Sequence, residues 1–344
     1  MRLPEVLLDE AQLDALLTHP SPRLVEDITQ IRSPLILLGA GGKMGPTLAL
    51  LAQNAARAAG HPLRIITVSR FRNPEARAWL EARGIETMAC DLLDAAAVAA
   101  LPDAGDIIYL VGQKFGTSTS PASTWAMNTL VPDRIAERYP KVRTVALSTA
   151  NVYPLSPVSR GGSEECDCLT PLGEYANAAV GRERIFEFHS QQRRTPVAIL
   201  RLSYAVELRY GVIRDITRRL VQGRPLDLTN GYFHCIWQGD ANEMILRSLA
   251  LAQTPAAAWN LCRPEVVGVR NTARQLGSLL GIEPQFVGTE SDTALLANPS
   301  RICAVLGPPQ VPFETILRWT ADWERRGGRS FDKPTHFETR NGQY

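Results

Sequence analysis

Three things are scarce in this chain. No apolar run approaches the roughly 18 residues that a membrane-spanning helix needs, so the sequence predicts no membrane partner. Net charge is scarce too: 37 Lys and Arg against 35 Asp and Glu leave +2. That balance gives no electrostatic reason to expect nucleic acid or an anionic surface as a partner. Paired cysteines are missing. Six stand scattered at Cys90, Cys166, Cys168, Cys235, Cys262 and Cys303. Only Cys166 and Cys168 are close, and Cys-x-Cys without a second pair lacks zinc-site spacing. The expectation is reduced, mostly buried thiols and no metal site. The first ten residues carry Glu5, Asp9 and Glu10 and lack a basic-then-apolar leader pattern. The chain therefore reads as cytoplasmic. It has no internal repeat, and no low-complexity segment beyond alanine-rich helix.

What is present is ordinary for a globular enzyme: 45% hydrophobic and 21% charged residues, in a length that holds one large or two interleaved domains. The most informative stretch is Leu35-Ile36-Leu37-Leu38-Gly39-Ala40-Gly41-Gly42-Lys43-Met44-Gly45. An apolar run of strand length enters a glycine cluster, and a helix-compatible segment, Thr47 to Ala59, leaves it. Glycine permits the tight turn, lets backbone approach a pyrophosphate, and lets helix pack on strand. The helix then aims its N-terminal N–H groups and positive dipole end at the phosphates.

From Pro34 onward strand and helix patterns alternate, which predicts an α/β fold: a doubly wound parallel sheet with helices on both faces. The expected strands are Leu35–Leu38, Arg64–Val68, Glu86–Ala89, Ile107–Val111, Thr144–Leu147 and Val197–Arg201. Most are near-continuous apolar runs, as suits strands covered on both faces. Helices are expected at Pro74–Arg83 and Ala122–Tyr139. After Arg201 the pattern loosens: a helix over Arg209–Gln222, a strand over Phe233–Trp237, a helix over Ala241–Ala252, a strand at Trp259–Cys262 and an amphipathic helix at Arg270–Leu280. The expected organisation is a helical arm over residues 1–33 and a nucleotide-binding domain over 34–204, completed by 233–262. A smaller C-terminal α/β substrate-binding region then spans 205–325, and a tail or lid 326–344.

The spacing Gly39-x-x-Gly42-x-x-Gly45 resembles the fingerprint of the extended short-chain dehydrogenase/reductases, the NAD-dependent epimerase/dehydratase group with a Rossmann domain. Other segments resemble the family in its order. Asp91 and Leu92, in Cys90-Asp91-Leu92-Leu93-Asp94, look like the segment facing the adenine. Tyr109-Leu110-Val111-Gly112 looks like the strand running under the cofactor, and Asn128 sits where the family often has an asparagine. Leu147-Ser148-Thr149-Ala150-Asn151-Val152-Tyr153 is similar to the segment bearing the catalytic hydroxyl, which falls on Thr149. Gly173-Glu174-Tyr175-Ala176-Asn177 opens a stretch like the catalytic helix, with Tyr175 as acid/base and Glu183 at a family glutamate. Leu200-Arg201-Leu202-Ser203-Tyr204 resembles the strand closing over the nicotinamide. The resemblance implies cofactor contacts at Gly39, Gly42, Lys43, Met44, Gly45, Ser69, Arg70, Asp91, Leu92, Val111, Gly112, Tyr175 and Leu202.

One departure matters. The family's Tyr-x-x-x-Lys pair would place lysine at position 179, which here is Ala179. A nearby ammonium favours phenolate, so either another cation replaces the lysine or the usual chemistry is absent. Lys114, in the loop past the fourth strand, is the leading substitute and a candidate catalytic and substrate-binding residue. The others are Lys43, expected to meet solvent or a phosphate, and Arg182, two turns beyond Tyr175. At the end of the second strand, Ser69 with Arg70 and Arg72 suits a 2′-phosphate through charge-assisted hydrogen bonds, although arginines there also simply solvate a loop. The reading favours NADP, with NAD as the alternative.

The expected activity is hydride chemistry on a hydroxyl or carbonyl carbon of a sugar or sugar acid. Ser148, Thr149, Asn151, Lys114, Arg182 and Arg209 are the substrate contacts, and Tyr210, Arg214, His234 and Trp237 further candidates. The competing readings are an NADP-binding sensor or scaffold that kept the fold without the chemistry, and a lyase step with Lys114 as base. A homodimer through the helices Ala122–Tyr139 and Tyr175–His189 completes the expectation.

Overall fold

The computed structural model describes residues 3–113, 119–333 and 335–343. Seven parallel strands form the central sheet: β1 Leu35–Leu38, β2 Ile65–Ser69, β3 Glu86–Ala89, β4 Asp106–Tyr109, β5 Arg143–Thr149, β6 Val197–Leu202 and β7 Ala257–Leu261. Their spatial order is β7-β6-β5-β4-β1-β2-β3. The order reverses between β1 and β4, where Leu38 stands opposite Tyr109 on one side and Val68 on the other. Such a switch point opens a crevice beyond the carboxyl ends of the strands.

Alternation along β1 explains why it is apolar throughout. Leu35 and Leu37 enter one core with Leu48, Leu51 and Ala55 of helix α1 (Gly45–Ala58). Ile36 and Leu38 enter the opposite core. That second core also receives Met127, Val131 and Ile135 of α2 (Pro121–Arg138) and Phe186 of α3 (Glu174–Arg193). A strand buried on both faces has no position to give to a polar side chain.

A third core lies among the elements that follow β6. It gathers Val212, Ile213 and Ile216 from the helix Val212–Val221, Ala273 and Leu276 from Val269–Leu280, and Ile316, Trp319 and Trp323 from Phe313–Arg325. The N-terminal arm divides between cores: Leu13 and Leu17 join this one, whereas Leu24 and Ile28 pack with the sheet. From the far end of the chain, Phe337 enters the third core too.

Several expected ends shift by a few residues, β4 stopping at Tyr109 and β5 running on to Thr149, and two differences have a visible cause. The helix after β6 starts at Val212 rather than Arg209, because Gly211 adopts φ +132°, where a side chain would also strike Val206. The single strand over Phe233–Trp237 is broken at His234. Tyr232–Phe233 pairs antiparallel with Val267–Gly268, and Cys235–Trp237 pairs parallel with Tyr204–Val206. Among the described residues no helix is long and apolar enough to cross a membrane.

Candidate active site

The glycine turn begins where β1 ends. The N–H groups of Gly39 and Ala40 both donate to Val68 O, at 2.8 and 3.2 Å, tying the turn to β2. Gly39 adopts φ +84°, and a Cβ there would lie 3.0 Å from Val111 N. At Gly45 a Cβ would fall 2.2 Å from Ala40 O, so the first residue of α1 rests directly on the turn. Gly41, absent from the expected contacts, also needs its bare backbone: a Cβ would stand 2.6 Å from Ser69 Oγ. Gly42 is different. It is exposed, and the nearest atom to a Cβ there is Gly39 O at 3.5 Å. Three glycines thus serve close packing and the fourth leaves open backbone at a helix N-terminus, a cradle that fits a diphosphate.

Around this turn, Ser69 ends β2 with its Oγ beneath Gly41 and accepts from Phe71 N–H at 3.5 Å. Arg70 is exposed, 3.9 Å from Asp91, whose carboxylate also accepts from Leu93 N–H at 3.0 Å. Leu92 and Val111 are buried. Leu202 ends β6 half-buried. Ser69, Arg70, Asp91, Val111 and Leu202 follow or end neighbouring parallel strands and so share one edge of the sheet.

Thr149 and Asn151 define the next wall. Thr149 Oγ1 donates to Asn151 Oδ1 at 3.0 Å and accepts Asn151 N–H at 3.2 Å, closing a one-turn 3₁₀ helix over Ala150–Val152. Tyr175 lies in the first turn of α3, whose entry at Gly173 (φ +85°) is covered by Gly342 of the tail. Helix α3 packs along β5 and along that 3₁₀ turn. Ala179 is sealed there among Ala150, Val152 and Tyr153. The position one helical turn beyond Tyr175 is therefore filled by an apolar contact.

Several expected contacts prove to be structural. Ser148 precedes Thr149 on β5 and so points to the opposite face. Its hydroxyl donates to Glu183, which Arg201 holds through Nη2 at 2.7 Å. Ser148 is spent inside a buried network and does not line the crevice. Arg182 is buried; its Nη1 donates to Val111 O at 2.8 Å and occupies the space beside Gly112. The neighbouring carboxylates pair elsewhere, Glu183 with Arg201 and Glu187 with Arg184. Arg209 contacts Glu207, Glu10 and Asp14 at 3.0–3.1 Å and so anchors the N-terminal arm. Arg214 pairs with Glu324. Trp237 packs at a tilt against Trp319 in the core, ring centroids 5.3 Å apart. His234 is buried, with Nδ1 accepting Ala297 N–H at 3.3 Å. Lys114 lies outside the described residues.

Lys43 does not run to solvent. Its Nζ donates to Ala205 O at 2.6 Å, across 162 residues of sequence, and stands 4.4 Å from the centre of the Tyr210 ring. Burial lowers its pKa to about 8, with Glu207 pulling it back up. Local sequence carried no signal for this contact, which depends on how the segment after β6 folds back. Among the described residues, no cluster of three or more metal-ligating side chains occurs.

A glycine turn at the switch point of a doubly wound sheet, with a threonine and a tyrosine on the same edge, defines a nucleotide-binding α/β protein. The sequence profile of the NAD dependent epimerase/dehydratase family matches residues 35–231. The chain belongs to this family of enzymes. Its fold is shared with solved structures at low identity. One is a dTDP-glucose 4,6-dehydratase from Streptomyces venezuelae with NAD bound (TM-score 0.71, 19% identity, covering 85% of this chain and 97% of that one). Another is the UDP-glucose 4-epimerase of Thermus thermophilus in complex with NAD (0.69, 17%, 85% and 99%). A third is the UDP-glucuronic acid 4-epimerase of Bacillus cereus with UDP-glucuronic acid and NAD (0.70, 15%, 85% and 99%). A search of curated protein sequences returned no match.

Proposed function

We propose that this enzyme binds NADP and acts on a hydroxyl- or carbonyl-bearing carbon of a sugar or sugar acid carried on a nucleotide. One observation carries the reading: the open glycine turn, Thr149 and Tyr175 all lie at the carboxyl edge of the sheet around its switch point. The nicotinamide, when bound, exchanges hydride with the substrate. The chain supplies the rest. Gly42 and the N-terminus of α1 receive the diphosphate; Asp91 and Leu92 take the adenine side; Val111, Gly112 and Leu202 border the nicotinamide side. Ser69 and Arg70 offer a hydroxyl and a guanidinium to a 2′-phosphate, a pairing that suits NADP better than NAD. Thr149 Oγ1 hydrogen-bonds the reacting oxygen, and the Tyr175 phenol takes or returns its proton. The nucleotide-sugar class is supported by the ligands of the structural neighbours, UDP-glucuronic acid among them.

Titration with both reduced cofactors, read by nicotinamide fluorescence, tests the assignment. NADPH binds more tightly than NADH if Ser69 and Arg70 read the 2′-phosphate; the reverse order assigns NAD. UDP- and dTDP-sugars, together with sugar acids, are then screened for absorbance change at the nicotinamide band. Tyr175→Phe keeps cofactor affinity and lowers turnover by about 10²–10⁴-fold, the usual worth of a general acid–base group. The sealed Ala179 favours a second reading, a nucleotide-binding sensor without turnover. That reading prevails if wild type binds cofactor tightly and no sugar in the screen oxidises or reduces it.

A further inference from the structure

The end of the chain, residues 335–343, runs from the third core to the entrance of α3. Phe337 is buried in that core, and Asn230 Nδ2 donates to its carbonyl. Further along, the Arg340 guanidinium donates to Thr293 O at 2.7 Å, to Thr293 Oγ1 at 2.8 Å and to Ser291 Oγ at 3.1 Å. Thr293 and Ala294 pair antiparallel with Pro157 and Ser156, the short strand that follows the Thr149 turn. Leu295 and Ala297 then enter the small core that holds Ala150, Val152 and Tyr153 of that turn and Ala179 of α3. Arg340 therefore grips the segment on which the Thr149 turn rests. Gly342 meets the other wall. A Cβ there would stand 2.1 Å from Leu172 O, and one on Gly173 would stand 2.2 Å from Gly342 O. Gly173 is the N-cap of α3 and offers no side chain to the free N–H groups of the first turn, in which Tyr175 lies. Asn177 Nδ2, donating to Gly173 O at 2.9 Å, and Trp125 Nε1, donating to Glu174 at 2.6 Å, hold that turn from α3 and from α2. The tail holds its entry.

We propose that the tail is a clamp on the candidate active site, in which Arg340 and Gly342 are positioning residues that hold the entrance of α3 and the Thr149 turn in fixed relation. This rests on Thr149 and Tyr175 being the reacting pair of the proposed function. Proton and hydride steps tolerate little misplacement: a shift of about 1 Å in a positioned group costs on the order of 10²-fold in rate. Arginine suits the anchor because its planar fork reaches Thr293 O and Oγ1 together, which an ammonium does not reproduce. The glycine turn is braced separately, by β2 and α1. The clamp thus acts on the reacting groups and leaves the diphosphate cradle alone.

The experiment uses the full chain as wild type, Arg340→Met and Gly342→Val, the last placing a Cβ against Leu172 O. Melting temperatures confirm that each is folded. Chains labelled with fluorotyrosine give a fluorine spectrum in which the Tyr175 signal is the one lost in Tyr175→Phe. The signal lost in Tyr109→Phe, from the sheet core, is the internal control. In both tail variants the Tyr175 signal shifts or broadens and the Tyr109 signal stays. NADPH affinity, read by fluorescence, remains within about threefold of wild type, as for sites that share no partners. Where a nucleotide sugar from the screen is turned over, kcat falls by roughly 10–10²-fold with little change in KM. A tail that only held the third core together would lower the melting temperature and leave the Tyr175 signal in place. That result, in folded variants, overturns this inference alone. A Tyr175→Phe chain with full turnover, or a wild type that turns over no sugar, ends the acid/base reading instead, and a moved Tyr175 signal still establishes the clamp.

Discussion

His234 and Asp240 stand a few residues apart and respond to burial in opposite senses. Burial lowers the His234 pKa from 6.5 to about 4, so the unfolded chain takes up a proton before the folded one does. Stability contributed by the neutral ring is complete above about 6.5 and is lost as pH falls toward about 4. Burial raises the Asp240 carboxyl from 3.8 to about 6, despite the N–H of Val311 donating to it at 2.9 Å. Here the folded chain takes the proton first, and stability is gained as pH falls through about 6 toward 3.8. The two contributions offset each other over much of the same acid range. Asp240→Asn therefore makes the melting temperature fall more steeply on acidification than in wild type, and His234→Asn makes it fall less steeply. Melts recorded across that range check both; three parallel profiles would contradict the assignment. The same commitment of polar groups governs which site residues could be read in advance. The glycines announce themselves by local spacing, and Thr149 by the resemblance of its segment to the family. Ser148 and Arg209 do not announce that they are already engaged, because Glu183, Glu10 and Asp14 reach them from distant segments.

Between elements, the buried pair of Glu183 and Arg201 joins α3 to β6 directly behind the site. Arg201 also donates to the Tyr153 hydroxyl at 2.7 Å, and Tyr153 to Asn260 Oδ1 at 2.8 Å, which carries the network from the turn after β5 to β7. Arg201→Met strands the carboxylate of Glu183 and costs about 3–5 kcal/mol. The double variant Glu183→Leu with Arg201→Met, which removes both charges, recovers much of that loss. Urea unfolding distinguishes the two, and a single variant as stable as wild type would refute the coupling. Element types and order were legible because a strand covered on both faces must be apolar throughout, and because a helix after a glycine turn has its own signature. The ends were less legible. The Phe233–Trp237 run carries no mark of the break at His234, since its two halves choose different partner strands.

Across the whole molecule, α2 and α3 lie side by side over one face of the sheet, and their outer surface leaves Trp125, Leu130 and Phe188 exposed at 39%, 47% and 57%. Large apolar side chains left exposed on one pair of packed helices suit an interaction surface, and a second copy of this chain is the proposed occupant. Light scattering gives a dimer mass for wild type and a monomer mass for a variant carrying Leu130→Glu and Phe188→Glu; a monomeric wild type removes the proposal. The tail ties distant segments together. Thr335 donates to Asp215 at 2.6 Å, Arg340 donates to Thr293 O at 2.7 Å, and Gly342 meets Gly173 at the entrance to α3. Arm and tail thus both pack onto the third core, through Leu13 and Leu17 and through Phe337.

Periodicity and glycine spacing carried the sheet, its helices and the glycine turn, because each is written within a few neighbouring residues. The departure at Ala179 was equally plain. The direction of the Lys43 side chain was not, since it depends on a segment 162 residues away. Burial settled the rest: a charged or polar side chain in the interior goes to whichever partner the packed chain brings within hydrogen-bond distance, and that partner is set by the folded arrangement rather than by neighbours in sequence.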